Sequence, residues 1–476
     1  MIGGGSWSES RQGAWIEPKK QRNSPDEKKR MCGRRPIPLG IVGWVALGSS
    51  AAAAEWPQAE PGPPNVLMIV SDDQGWRDHG FMGSRQVRTP HLDRLAREGA
   101  VFVNGSVPTS LCRASLATLL TGRYAHQHKI CCNDPPKGID RDRMLPYLSH
   151  APTIPRLLAQ RGYACLQTGK FWEGHYSNGG FTHGMTTEGR HGGPGLAIGR
   201  ETLEPIDEFL DRDRQGKPFF IWYAPMMPHL PHNPPQRLLE RNQAIGNDPR
   251  LAKYHAMCEW FDETVGQVLS RLETRGLLEN LLVVYVVDNG WVQAEGPPRP
   301  NDQFLTRSKN SPYDAGLRTP IILWRPGVIP PGRYEDLVST IDLAPTILAA
   351  CGVDWPHELD RPPGLDLNPR AQGGPPLERE AVFGELFTHD CVELGKPRLS
   401  LTHRWIRRGN DKLIVPTGEA APELYDLATD PDEQTNLAAQ RPEVVAELRR
   451  LIDAWWDPQA IEADVPATPR DSGSSP

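Results

Sequence analysis

Three unbroken apolar runs constrain this chain most: Asn65–Ser71 (NVLMIVS), Phe219–Ala224 (FFIWYA) and Leu281–Val287 (LLVVYVV). None alternates polar with apolar residues, so each suits a strand buried on both faces of a sheet. Helical patterns lie between and around them. Residues 90–99 (PHLDRLAREG) read as a short helix stopped by Gly99, and 114–120 as another. Residues 154–162 read as a helix feeding a strand at 163–167, and 251–275 carry apolar residues at helical spacing. A strand at 320–324 and a helix at 339–351 complete the series. Buried strands alternating with helices predict an α/β domain around a largely parallel sheet. Ligands in such folds bind beyond the carboxyl ends of the strands. Two of the runs end there in polar pairs, Asp72-Asp73 and Asp288-Asn289.

The rest of the chain divides around that domain. Gly (45) and Pro (48) make up about a fifth of the 476 residues, without a collagen period, which implies many ordered loops. The stretch 361–376 is rich in both and reads as a linker. Strand-like segments at 381–387, 399–407 and 412–415 and a helix at 442–456 follow. We therefore expect a catalytic domain over 60–375, a small sheet-plus-helix domain over 376–459 and a disordered tail over 460–476. Residues 1–30 are polar and read as an extension ahead of a start at Met31. Arg34-Arg35, a short apolar run at 37–47 and Ala51–Ala54 describe a signal peptide over 31–54. The mature protein is then periplasmic or secreted, cut after Ala54, with no stable membrane insertion. Residues 1–54 together hold nine Lys/Arg and four Asp/Glu, so their removal takes the net charge from −6 to −11. An acidic chain argues against nucleic acid as a partner.

Several residues point to chemistry. An Asp-Asp pair after a buried strand is costly unless something neutralises it. Four oxygen-bearing residues at two strand ends, Asp72, Asp73, Asp288 and Asn289, suit Ca²⁺ or Mg²⁺ better than Zn²⁺. As plain loop carboxylates they would only cap a helix. Cys112 stands where a helix begins, a place expected to lower a thiol pKa. A buried Cys is more often a small hydrophobe. Lys170 and Lys309 lie in loops, and His229 and His232 follow a buried strand among prolines, which precludes a helical metal pair. Seven cysteines remain after the leader, and their pairing is not readable from sequence.

These segments together resemble the type I sulfatases of the alkaline phosphatase superfamily. The matching stretches run in family order from Asn65 to Trp456: VSDDQG, TPHLDRLAREG, the Cys112 segment ending in LTGR, GYACLQTGK, PHLPH, YVVDNG, KNSPYDAGLRTP, STIDLAPTIL and LYDLATDPDEQTNL. The resemblance implies an α/β fold: a large alkaline-phosphatase-like domain with a central, mostly parallel sheet flanked by helices. A small C-terminal α+β domain with a four-stranded antiparallel sheet completes it. It also implies that Cys112 is oxidised to formylglycine, whose hydrated form is the nucleophile. Asp72, Asp73, Asp288 and Asn289, with the modified Cys112, match the Ca²⁺ ligands. Lys170, His229 and Lys309 match residues that hold the sulfate and assist departure of the alcohol. Arg123 matches the Arg that closes the nucleophile motif and orders its loop. The implied partners are a sulfated small molecule or glycan and, during maturation, the formylglycine-generating enzyme.

Two positions depart from the family pattern. The motif reads Cys112-Arg113-Ala114-Ser115-Leu116, with Leu116 where the family has Arg. Lys170-Phe171-Trp172 replaces Lys-x-His, removing a pocket donor. Arg113, His126, His128 and His175 are candidates to compensate. Two other functions stay open: hydrolysis of a phosphoester or phosphonate by the same superfamily pocket, and a sulfatase-like binding protein without catalysis. Trp172, Tyr176 and Trp291 are candidates to stack on sugar rings.

Overall fold

The buried runs pair side by side in a computed structural model that describes residues 62–246, 249–291 and 307–459. Twelve strands are numbered in chain order. Those of the large sheet are β1 (Asn65–Ser71), β2 (Ala100–Ser106), β3 (Ala164–Gly169), β4 (His183–Gly184), β5 (Phe219–Ala224), β6 (Leu281–Val287), β7 (Arg318–Trp324) and β8 (Gly332–Ser339). Their order is β4-β3-β5-β1-β6-β7-β2-β8. β1 lies parallel between β5 and β6, and β3 runs parallel to β5. β7 is antiparallel to both its neighbours. The sheet is therefore mixed and mostly parallel, and every residue of β3, β5 and β6 is buried.

Seven longer helices are α1 (Pro90–Glu98), α2 (Cys112–Thr121), α3 (Ile154–Gln160), α4 (Gln236–Ala244), α5 (Pro249–Thr274), α6 (Leu343–Ala350) and α7 (Pro442–Trp455). Alternate residues of β1 face two separate apolar clusters. Val66, Met68 and Val70 pack with residues of α2, α3 and α6, whereas Leu67 and Ile69 pack with residues of α1 and α5. Helices thus cover both faces, which is why the strands lack polar residues.

The second sheet contains β9 (Val382–Phe387), β10 (Leu401–Arg408), β11 (Asp411–Pro416) and β12 (Glu423–Asp426), all antiparallel, in the order β12-β11-β10-β9. One of its faces packs on Leu448 and Ile452 of α7. The other meets Val107 and Leu317 of the large sheet's surroundings through Val382, Trp405, Ile414 and Tyr425. Trp405 Nε1 donates to the Pro108 carbonyl at 3.0 Å. Trp455 stacks on Phe383, and Trp456 lies flat on His126 at 4.4 Å.

Residues 361–376 are not an exposed linker. Leu367 and Ala371 are fully buried. Leu365 N donates to Asp342 Oδ1 and Leu367 N to Thr346 Oγ1, so the stretch straps α6. Asn368–Ala371 within it forms a short helix, and the amides of Leu365 and Leu367 ahead of it find side-chain acceptors. The leader at 31–54, the extension before it and the tail at 460–476 lie outside the described residues. No described helix is long and apolar enough to cross a membrane.

Candidate active site

Four parallel strands end on one edge, and the residues after each converge there. Asp72 and Asp73 follow β1, Lys170 follows β3, His229 lies in the loop after β5, and Asp288 and Asn289 follow β6. The register pairs Ser71 with Val287, which sets Asp72 beside Asp288. Asp288 N donates to the Ser71 carbonyl at 2.9 Å, and Asp73 N donates back to Asp288 Oδ1 at 3.0 Å. Asp73 adopts a left-handed conformation, φ 62°, that Asp tolerates better than most residues. Gly169 also has positive φ, and a Cβ there would meet the Ala224 carbonyl at 1.9 Å. That close approach lets Lys170 N donate to Ala224 O at 2.6 Å. Lys309 is brought in by its own loop, where its N donates to the Trp291 carbonyl and Asn310 N to the Ser110 carbonyl.

The cluster is buried and densely charged. Lys170 Nζ donates to Asp72 Oδ1 and reaches Asp288 Oδ2 at 3.4 Å. Lys309 Nζ donates to both oxygens of Asp73, at 2.6 and 2.8 Å. Asn289 Nδ2 donates to Asp73 Oδ1 at 2.6 Å. His229 Nδ1 donates to the Leu230 carbonyl at 2.7 Å, which leaves Nε2 facing Asp73 Oδ2 at 3.4 Å. Arg200 pins this loop by donating to the carbonyls of Met226, His229 and Pro231. One candidate ligand atom from each of Asp72, Asp73, Cys112 and His229 lies within 4.8 Å of the others.

Three carboxylates with only two ammonium partners are not at rest electrostatically. Burial pushes the Asp288 carboxyl up to about 7, Asp72 adds to the rise, and Lys170 opposes it. Burial also raises Asp72, against the pull of Lys170. Burial alone would raise Asp73, but Lys309, His229 and Lys170 outweigh it and hold that carboxyl at about 2. Burial lowers His229 to about 4; Asp73 resists this and the two lysines reinforce it. Asp72 Oδ2 and Asn289 Oδ1 are buried without a hydrogen-bond partner. Orphaned oxygens beside excess carboxylate fit a hard divalent cation held by Asp72, Asp73, Asp288 and Asn289.

Cys112 opens α2, with Leu111 as its cap residue. Its thiol is not activated by the helix start. Burial pushes it up to about 11, although Lys170 and Lys309 oppose the shift. Unmodified Cys112 is therefore a neutral thiol and a poor nucleophile. Ser115 Oγ, one turn on, donates to the Asp288 carbonyl at 2.5 Å and ties the helix to the acidic loop. Arg113 is buried in a bidentate pair with Glu173, at 2.7 and 2.6 Å, and this joins the start of α2 to the Lys170 loop.

Arg123 is not brought to the cluster. It follows the far end of α2, donates to the Asp360 carbonyl and lies over Trp355. The candidate replacements for the missing pocket donor are occupied elsewhere. Arg113 is spent on Glu173, His126 pairs with Glu385, His128 meets Thr118, and half-buried His175 meets Ser177. His191, which the sequence did not single out, is nearer. Its ring lies 4.4 Å from Trp172 and 6.0 Å from His229. Burial, then Lys170, lower it to about 3. Trp172 is itself buried under the guanidinium groups of Arg141 and Arg190, and Trp291 stacks on Tyr254 at 3.5 Å. These rings pack against protein partners.

A sheet that carries an acidic-lysine cluster at its carboxyl edge, with a cysteine opening the adjacent helix, defines a hydrolase site for a tetrahedral ester. The chain belongs to the sulfatase family of the alkaline phosphatase superfamily: the Sulfatase family model matches residues 64–353. A second model, N-sulphoglucosamine sulphohydrolase, C-terminal, matches 307–455. The chain is a sulfuric ester hydrolase. It is 28% identical to N-acetylgalactosamine-6-sulfatase of Canis lupus familiaris over 86% of this chain and 88% of that protein. It is 28% identical to human arylsulfatase A over 86% of this chain and 89% of the relative. Among solved structures it resembles one bound to its substrate D-glucosamine-2-N,6-O-disulfate, with TM-score 0.62, 21% identity and coverage of 83% and 97%.

Proposed function

We propose that this sulfatase is exported and cleaves a sulfate monoester on a glycan, using formylglycine formed from Cys112 and a Ca²⁺ ion held by Asp72, Asp73, Asp288 and Asn289; Mg²⁺ is the alternative cation. The observation that carries this reading is the convergence of Asp72, Asp73, Cys112 and His229 within 4.8 Å, with two lysines on the carboxylates. When present, the cation supplies positive charge to the sulfate oxygens and the hydrated formyl group supplies the attacking hydroxyl.

The chain's own residues do the rest. Lys170 and Lys309 add fixed charge where equatorial oxygens gather density. Both are buried, so water screens them little. His229 Nε2 protonates the departing sugar oxygen. Burial, reinforced by the two lysines, holds this imidazole at about 4, and a bound anionic ester offsets the lysines. Arg200 fixes its loop and Arg113–Glu173 fixes the start of α2. The glycan reading draws on relatives named for N-acetylgalactosamine 6-sulfate and on the disulfated glucosamine of a structural neighbour. Maturation by the formylglycine-generating enzyme has to proceed with Leu116 in place of Arg.

The tryptic peptide 98–113 from native-source protein carries Cys112, and its mass reports formylglycine directly. We expect formylglycine and sulfate release from sulfated amino sugars. Cysteine alone, with no sulfate released, overturns the mechanism.

A further inference from the structure

We propose that Cys131, Cys132 and Cys391 form a binding site for one thiophilic d¹⁰ cation, Zn²⁺ or Cu⁺, separate from the oxygen-lined active site. The three Sγ atoms lie within 4.8 Å of one another, and those of Cys131 and Cys132 are 3.5 Å apart. All three residues are at most 6% exposed. Zn–S bonds of about 2.3 Å set the edge of a thiolate tetrahedron at about 3.8 Å, so small side-chain adjustments close this triangle around an ion.

The backbone holds the triangle from both sides. Asn133 N donates to the His389 carbonyl and Cys391 N to the Asp134 carbonyl, each at 2.9 Å. The segment after the 125–128 turn is thereby fastened to the loop after β9. The cysteines pack with Leu111 and Ala114, the residues on either side of Cys112-Arg113. Buried Arg113 is close enough for its charge to be felt at Cys391, whose thiol is lowered by its hydrogen bonds from Cys131 and Cys132 and by that charge, whereas Cys131 and Cys132 are raised in the metal-free cluster. The described cysteines are all unpaired. A disulfide would consume two of the three sulfurs and strand the third. Soft thiolates select a d¹⁰ ion, whereas the oxygens of the Asp72 cluster select a hard one. Each thiol that ligates the ion gives its proton to solvent.

The test uses the full chain, purified under reductant, stripped by chelator and supplied with excess Ca²⁺ to fill the oxygen site. It is then titrated with Zn²⁺ or, anaerobically, with Cu⁺, and bound metal is counted by elemental mass spectrometry. We expect one equivalent per chain, a thiolate-to-metal charge-transfer band with Cu⁺, and a higher melting temperature. Competition between the two ions decides which is held. Cys391→Ser should lose the equivalent and the thermal shift, while Cys258→Ser, buried elsewhere, should keep both. Cys132→Ser replaces Cys391→Ser if the latter fails to fold. Undiminished binding in these variants overturns the proposal. So does absence of binding with three free thiols, or a native disulfide from Cys391 to Cys131 or Cys132.

Discussion

Lowering the pH should strip the hard cation from the active site, and Asp288 sets the scale. Its carboxyl is pushed up to about 7 by burial first and by Asp72 second. A proton there competes with the cation for the same oxygens. Affinity is therefore full above pH 7 and is lost as pH falls through that value, by about tenfold or ~1.4 kcal/mol per unit. At pH 5 the loss is about 100-fold, and the raised Asp72 carboxyl steepens it further. The metal-free fold responds in the opposite sense. A carboxyl whose folded pKa exceeds its unfolded value stabilises the unbound chain as pH falls from about 7 toward 4. Calorimetric titration with Ca²⁺ in two buffers of different ionisation enthalpy checks both affinity and proton release. About one proton per cation should appear near pH 6 and almost none at pH 8. Thermal melts should show the Ca²⁺-induced shift shrinking over the same range. Asp288→Asn should bind weakly at every pH and lose most of the proton release near pH 6. A dissociation constant flat within twofold from pH 5 to 8 would refute the assignment of Asp288 as a ligand.

Three other perturbations follow from specific contacts. Lys309→Met removes both bonds to Asp73 and should cut kcat about 10²–10³-fold in a sulfate-release assay, with the fold intact by circular dichroism. Arg113→Met leaves Glu173 buried without its partner and should cost ~3–5 kcal/mol in denaturant unfolding, less when combined with Glu173→Gln. Leu116 is 4% exposed within the main apolar cluster, so Leu116→Arg should lower the melting temperature and soluble yield. An unchanged melting temperature would show that the guanidinium finds a partner, and the formylglycine fraction of peptide 98–113 would then report its effect on maturation.

How much of this was legible in the sequence depended on where each residue sits relative to a fully buried strand. β1, β5 and β6 carry no polar interruption, so their limits and the residues just past them, Asp72, Asp73, Asp288 and Asn289, were readable. β2 and β8 were not. β2 ends in Asn-Gly-Ser, and β8 (GRYEDLVS) is a half-exposed edge strand with no buried-run signal. Cys112 was placed correctly at a helix start, but its titration was misjudged because burial outweighs the helix and both lysines. Arg123 was placed with the nucleophile loop by its match to the family motif, which says nothing of its side-chain partners. The ten residues of α2 carry it about 15 Å along the helix, away from the cluster. His191 lies in a glycine-rich loop without periodicity, and only the closed structure sets it against Trp172. The cysteine triangle joins distant segments through two backbone hydrogen bonds that no local pattern announces.

The charge count at the site carries the sulfate reading beyond family membership. Asp72, Asp73 and Asp288 against Lys170 and Lys309 leave one negative charge in a buried cluster. A divalent cation turns that into one positive charge, which a sulfate monoester, a monoanion, neutralises. A phosphate monoester is largely a dianion at neutral pH and would leave the cluster negative again. An uncompensated buried charge costs several kcal/mol, so the same alcohol's phosphate is disfavoured at neutral pH by the wall of the site itself. Phosphodiesters and phosphonate monoesters, being monoanions, escape this penalty. Against them discrimination has to come from the shape of the loops around the cluster rather than from its charge.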